Sequence, residues 1–267
     1  MVKAVIGFFT GIGAVCRCAL ATRILAAQSN HLTDREAGYC AAIYNVVGAW
    51  FNSSTDDVSI QTAALAAPLL LETLNLSPAW LLLFSGSPGI DMQVSWQGQQ
   101  AEALLFWQDG NIDVQDFLAD VDMAVLQLLW KKYLPVTANA TGRVQVRGDF
   151  RLDAANGWPL TGMLEAGWHA AGVDFNGKIP LGDYQLAVKS EHDADPWSWV
   201  LSGGTALLIE GEGAIVAPLN PQLPWSMHGQ ASIAAAKEAV QLSAMLGNIP
   251  LKYRLSGPIF KPRVQRM

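Results

Sequence analysis

Residues Thr141 to Asp153 read T-G-R-V-Q-V-R-G-D-F-R-L-D. Val144, Val146, Phe150 and Leu152 share one parity; Arg143, Gln145, Arg147, Asp149 and Arg151 share the other. A period of two sends alternate side chains to opposite faces of an extended chain. The pattern therefore predicts a β-strand buried on one side and wet on the other. It returns repeatedly down to Leu255, while no segment gathers a nucleophile with a base, or a cage of metal ligands. The expectation is a long one-sided sheet, made to pack and to be touched rather than to do chemistry.

A chain of 267 residues has room for one large β domain or two small ones, and can bury a sizeable core. Apolar residues reach 51% and charged ones only 15%, which argues against disorder. Ten Trp suit half-buried sheet surface. The net charge of −6 disfavours nucleic acid as a partner, because neutralising phosphates needs a basic face. The arginines of the Thr141 strand alternate with Asp149 and Asp153, so that stretch reads as a solvated face. Cys16, Cys18 and Cys40 all lie in the first forty residues, so no disulfide staples the body; an oxidising compartment is allowed but not demanded. Cys16-x-Cys18 lacks metal-ligand spacing and reads as two small hydrophobes.

Lys3 precedes Ala4 to Ala27, whose only charges are Arg17 and Arg23. A membrane-spanning helix needs roughly 20 apolar residues, and the uninterrupted run from Ala4 to Cys16 is shorter. Arg17 near the bilayer centre costs about 2.5–3.5 kcal/mol, and less where it snorkels to an interface. Lys3 favours a cytoplasmic N-terminus with the body outside. The segment is expected to be a membrane helix, with Gly7 and Gly11 as a small-xxx-small pair. Two other readings stay open: a signal peptide cleaved at Ala19-Leu20-Ala21, or a buried helix of a soluble domain.

Four regions follow from the patterning: 1–27 as cytoplasmic tip and membrane helix (or signal-like segment), 28–90 as a poorly readable part, 91–260 as a β-rich domain, and 261–267 as a tail. In the second region Val46 to Trp50 reads as a strand, and Val58 and Ile60 alternate again. Ala63 to Phe84 is apolar but broken by Pro68, Glu72 and Pro78, and the prolines argue against one membrane-spanning helix. Ser85 to Gly89 is a loop by composition. From Asp91 the grammar is clean: Met92, Val94 and Trp96 alternate, Gly98 turns the chain, and Ala101 to Trp107 returns. Ile112 and Val114 predict a short strand, after which Asp116 is expected to cap a helix carrying Val121, Val125, Leu128 and Leu129 and ending before Pro135.

Further strands are expected at Leu160–Trp168, Val173–Phe175, Asp183–Lys189, Ser198–Ser202, Thr205–Val216, Trp225–Ile233 and Lys252–Gly257. A second helix is expected over Ala234–Leu246, stopped by Gly247. Short Gly-rich connections make the sheet mostly antiparallel. The predicted fold class is all-β: an open curved sheet or a sandwich, with two short helices, preceded by the membrane helix.

Candidate chemistry fails on spacing. His31, His169, His192 and His228 show no local zinc pattern. Glu191, His192, Asp193 and Asp195 lack the glycine-turned calcium loop and read as a solvated acidic loop. Gly211-Glu212-Gly213 lacks the third glycine and following helix of a dinucleotide site. Ser87 stands in no Gly-x-Ser-x-Gly elbow, and Asp56-Asp57 and Asp120 with Asp122 are neighbours in sequence only. No catalytic residue, no cofactor-binding residue and no metal ligand is expected, and so no enzyme.

The ordered landmarks carry a resemblance. They are Gly142-Arg-Val-Gln-Val-Arg-Gly-Asp-Phe-Arg-Leu152, Leu160-Thr-Gly-Met-Leu-Glu-Ala-Gly-Trp168, Ile179-Pro-Leu-Gly182 and Leu208-Ile-Glu-Gly-Glu-Gly213. Ala244-Met-Leu-Gly247 and Leu251-Lys-Tyr-Arg-Leu-Ser-Gly-Pro258 complete the set. Over about 91 to 260 the chain resembles the type II secretion system protein N family. Upstream, Val46 to Trp50 and Trp80 to Phe84 echo the family's earlier landmarks.

The resemblance implies a single-pass protein of the bacterial inner membrane with a β-rich body in the periplasm. It also implies a non-catalytic role in protein secretion, with other inner-membrane secretion components as partners bound through exposed sheet edges. The alternative is a lipid-handling trough resembling the AsmA group, its apolar face left open to acyl chains. What covers that face separates the two. Residues 17–85 fit the family least well; ordinary divergence and a shifted reading frame are the two explanations.

Overall fold

Among the described residues the period-two pattern is realised as thirteen strands in a single sheet whose hydrogen-bonded order follows chain order, β1 to β13. They are β1 (Ser53–Ile60), β2 (Leu69–Pro78), β3 (Gly89–Trp96), β4 (Gln99–Gln108), β5 (Asn111–Asp122), β6 (Asn139–Asp153), β7 (Pro159–Asp174), β8 (Lys178–Ser190), β9 (Trp197–Gly203), β10 (Leu207–Val216), β11 (Ser226–Ala235), β12 (Leu251–Pro258) and β13 (Arg263–Arg266). Two short helices among the described residues, α1 (Met123–Trp130) and α2 (Val240–Leu246), interrupt the meander. The computed structural model describes residues 53–60, 69–79, 89–130, 139–154, 158–174, 177–193, 195–218, 224–247, 249–259 and 262–267. The expected membrane helix, the cysteines and the Val46–Trp50 strand lie outside the described residues.

The described residues divide into two compact units, one holding those up to Ala119 with Gly148–Leu160, the other Asp120–Arg147 with Thr161–Met267. In the first, β3 and β4 pair from Gly89↔Phe106 to Trp96↔Gln99. Gln97 and Gly98 form the two-residue turn with φ of 49° and 72°, the positive pair that twisted hairpins require and that glycine supplies without strain. Met92, Trp96, Ala101, Ala103, Leu105, Ile112, Val114 and Phe117 are buried. Phe117 meets Phe150 edge-on, with centroids 5.9 Å apart.

β6 behaves as its alternation predicts. Val144, Phe150 and Leu152 are buried and Val146 half-buried, while Arg143, Gln145, Arg147 and Asp149 are exposed.

Two expectations are corrected. Asp116 caps no helix: residues Asn111–Asp122 form one strand, with Asp116 at φ 50° and both Gln115 and Asp116 exposed. That bulge advances the parity by one, so Ile112 and Val114 share a face with Phe117, Ala119 and Val121. The slipped parity puts Val114, Phe117 and Val121 at spacings of three and four, which imitate a helix. The helix starts only at Met123, where the Asp122 carboxylate accepts the Ala124 N–H at 2.7 Å. Likewise, the expected helix over Ala234–Leu246 begins at Val240, because Ala234 and Ala235 end β11; small alanines carry no readable period.

A second bulge runs the two short strands expected over Leu160–Phe175 into the single β7, with register shifts between Trp168 and Gly172. Ala170 sits there at φ 48°, a left-handed conformation that costs a side-chain-bearing residue. Each bulge is held the same way. The Asp116 N–H donates to Asp149 Oδ1 at 2.8 Å, and the Ala170 N–H donates to Asp183 Oδ1 at 2.7 Å. The segment read as a tail also forms a strand, β13.

Candidate interaction surface

In the second unit the registers of β9 to β12 stack small and apolar residues in rows. Trp199, Gly213, Gly229 and Leu255 make one row, and Leu201, Gly211, Ala231 and Tyr253 the next. Trp199 is only 2% exposed and lies on a bed of glycines. A Cβ at Gly213 would stand 2.8 Å from its Nε1, and one at Gly211 would stand 3.1 Å from its Cζ3. A Cβ at Gly213 would also run into the His228 carbonyl oxygen and the Gly229 Cα, and one at Gly211 would stand 3.1 Å from the Gln230 carbonyl oxygen, so the two glycines are small because the indole and the β11 backbone crowd them. The buried Nε1 has no hydrogen-bond partner, a cost of about 1–3 kcal/mol set against the area the ring buries.

One end of this face is closed. Leu242 of α2 packs into a cluster with Ala171, Leu181 and Tyr184, flanked by Ile179, Leu207 and Ala235. The Tyr184 hydroxyl donates to the Leu207 carbonyl at 2.7 Å, and burial pushes its pKa up to about 12. Beside it, Ile179, Ala206, Ala239 and Leu242 line an open concavity of about 620 Å³. Farther along the strands, Ala231, Tyr253 and Leu255 lie outside the α2 cluster and are half-buried. Val264, in register with Leu255, is exposed. The apolar face is thus sealed beside α2 and loosely covered toward β12 and β13.

The opposite, polar face is built from ion pairs. In this unit Arg143 Nη2 and Asp120 Oδ2 are 3.0 Å apart and Arg147 Nη2 and Glu165 Oε2 2.6 Å; within the other unit Arg151 Nε and Asp113 Oδ1 are 2.6 Å apart. The hydrogen bond from Arg143 to Asp120, then the charge of Asp120, raises the arginine pKa further above its ordinary value. Each arginine of the Thr141 strand therefore meets a carboxylate, a pairing that alternation alone does not reveal. The solvated loop at His192 carries an exposed pair, Nδ1 to Asp195 Oδ2 at 3.1 Å.

Among the described residues no three His, Cys, Asp or Glu side chains converge, and no helix is long and apolar enough to cross a membrane. Asp120 and Asp122 part company: the first binds Arg143 and the second caps α1. His169 and His228 are exposed on different strands; His31, Ser87 and the side chains of Asp56 and Asp57 lie outside the described residues. Comparison with protein-family models, curated proteins and solved structures returns no match.

Proposed function

We propose that this chain is a non-catalytic component of the bacterial type II secretion pathway, held in the inner membrane with its β-rich body in the periplasm. What supports the reading is the agreement between the resemblance and the element order. Gly142–Leu152 lies in β6, Leu160–Trp168 in β7, Ile179–Gly182 in β8, Leu208–Gly213 in β10, Ala244–Gly247 at the end of α2, and Leu251–Pro258 is β12. These landmarks follow one another through a sequential meander, the arrangement a long adaptor surface needs. Partners are other inner-membrane secretion components, met through the sheet. The test is deletion of the gene followed by assay of secreted enzymes, with crosslinking in the native membrane. Reduced secretion and crosslinks to secretion components are expected; unchanged secretion with no such crosslink overturns the reading.

The half-covered face of β10 to β12 favours a second reading, a lipid-handling body, because half-buried apolar side chains such as Ala231, Tyr253 and Leu255 suit acyl chains. Stoichiometric lipid on the purified chain, without crosslinks to secretion components, moves the assignment there.

A further inference from the structure

The charge of the chain is unevenly placed. Of its 17 basic and 23 acidic residues, five basic ones and no acidic one follow Glu238, so a chain of net charge −6 ends in a basic segment. Four of the five, Lys252 and Arg254 on β12 with Arg263 and Arg266 on β13, are exposed. Unlike Arg143, Arg147 and Arg151, none of the four has a carboxylate partner among the described residues. Register places Arg263 beside Ser256 and Arg266 beside Tyr253. The basic groups therefore fall on both faces, and what they share is the edge of the sheet.

The same edge exposes three large apolar side chains: Ile249 at 77%, Val264 at 58% and Met267 at 54%. The Met267 N–H donates to the Lys252 carbonyl at 2.9 Å, which ties the chain end to the start of β12, three residues after Ile249. Cations with no carboxylate partner among the described residues, set around exposed apolar side chains, match an anionic lipid surface, where charges meet headgroup phosphates and apolar groups enter the interface.

We infer that the β12–β13 edge docks on the anionic headgroups of a phospholipid bilayer. The contact stays at headgroup depth, because β13 is the last strand of the sheet among the described residues, and hydrocarbon does not accept the backbone N–H and C=O groups of a sheet edge. Only the side chains of Ile249, Val264 and Met267 reach deeper. A four-residue edge strand carrying two arginines also resists main-chain pairing with another strand, which favours a lipid surface over an acidic β-strand of a partner protein. The inference stands whether or not the chain serves secretion.

The test is hydrogen exchange on the full chain in phosphatidylcholine vesicles with and without phosphatidylglycerol. Amides across 249–267 are expected to exchange more slowly with phosphatidylglycerol present. The difference disappears at about 1 M salt, where the Debye length falls to about 3 Å. It also disappears in R263E/R266E, since each basic residue at an anionic surface is worth about fivefold in binding, and two lost weaken it about 25-fold or more. Native exchange across Trp197–Gly203 reports that the variant is folded; if it is lost there, Arg266→Gln is read in its place. Equal exchange in both lipids, or slowing that survives R263E/R266E, overturns the inference. So does slowing by soluble polyglutamate but not by vesicles, which assigns the edge to an acidic protein segment.

Discussion

Along β4, Ala101, Ala103 and Leu105 share one face and are buried, with Gln100 and Glu102 exposed on the other. Along β12, Leu251, Tyr253 and Leu255 share one face, with Lys252 and Arg254 exposed opposite, yet the apolar residues are only half-buried. The two strands carry the same alternation and end in different surroundings. Period two says which face of a strand is apolar; it does not say what lies over that face. Around β4 the neighbours supply Met92, Trp96, Ile112 and Phe117, all buried. Around β12 they supply Gly229, Ala231 and an exposed Val264, and α2 covers rows nearer Leu207 and Ala235. Core and contact surface thus come from one pattern with different cover.

Truncation separates the two regimes most strongly. Phe117→Ala empties a buried site beside Phe150 and is expected to cost about 3–5 kcal/mol, whereas Leu255→Ala is expected to cost about 1 kcal/mol. Urea unfolding of both variants checks the difference; equal losses mean that the β12 face is as closed as β4. Gly213→Val drives a side chain into Trp199 and Gly229. It is expected to destabilise by about 3 kcal/mol, seen as a lower melting temperature and altered Trp fluorescence; a silent change removes the glycine bed from the account.

Tyr184→Phe sharpens the sealed end. Losing the bond to the Leu207 carbonyl is expected to cost about 1–2 kcal/mol. The folded tyrosine keeps its proton up to about 12, while an unfolded one loses it near its ordinary value of about 10. Its contribution is therefore whole below about pH 10 and is lost as pH rises toward about 12. The variant should lack that part of the alkaline fall, and an unchanged alkaline profile contradicts the buried hydroxyl. The smallest effect belongs to Arg147→Asp, which sets two carboxylates opposite one another at Glu165. On so exposed a face it is expected to cost about 0.5–1 kcal/mol, and a loss as large as that of Phe117→Ala means that the polar face of β6 is buried.

Much of the strand order was legible because side-chain parity is a local property. The Thr141 strand, the turn at Gly98 and the stop at Gly247 follow from residues next to one another. Legibility failed where a distant partner decides. The bulges at Asp116 and Ala170 depend on carboxylates supplied from other strands, Asp149 and Asp183. The seat of Trp199 depends on glycines brought together from β10 and β11. The carboxylate partners of the β6 arginines come from β5 and β7, and β13 gains its pairing only once β12 is in place. Coverage of the apolar face is non-local for the same reason, so the candidate surface was foreseen as a question and not as a place.

The claim that the loosely covered rows of β12 are where this molecule is touched can be tested with a photoreactive amino acid placed singly at Leu255, at Ile112 in the tight core, and at Gln230 on the polar face. After illumination of intact cells, the account predicts adducts to protein or lipid from position 255 and none from 112, with 230 weak or silent. Adducts from 230 with none from 255 would contradict it.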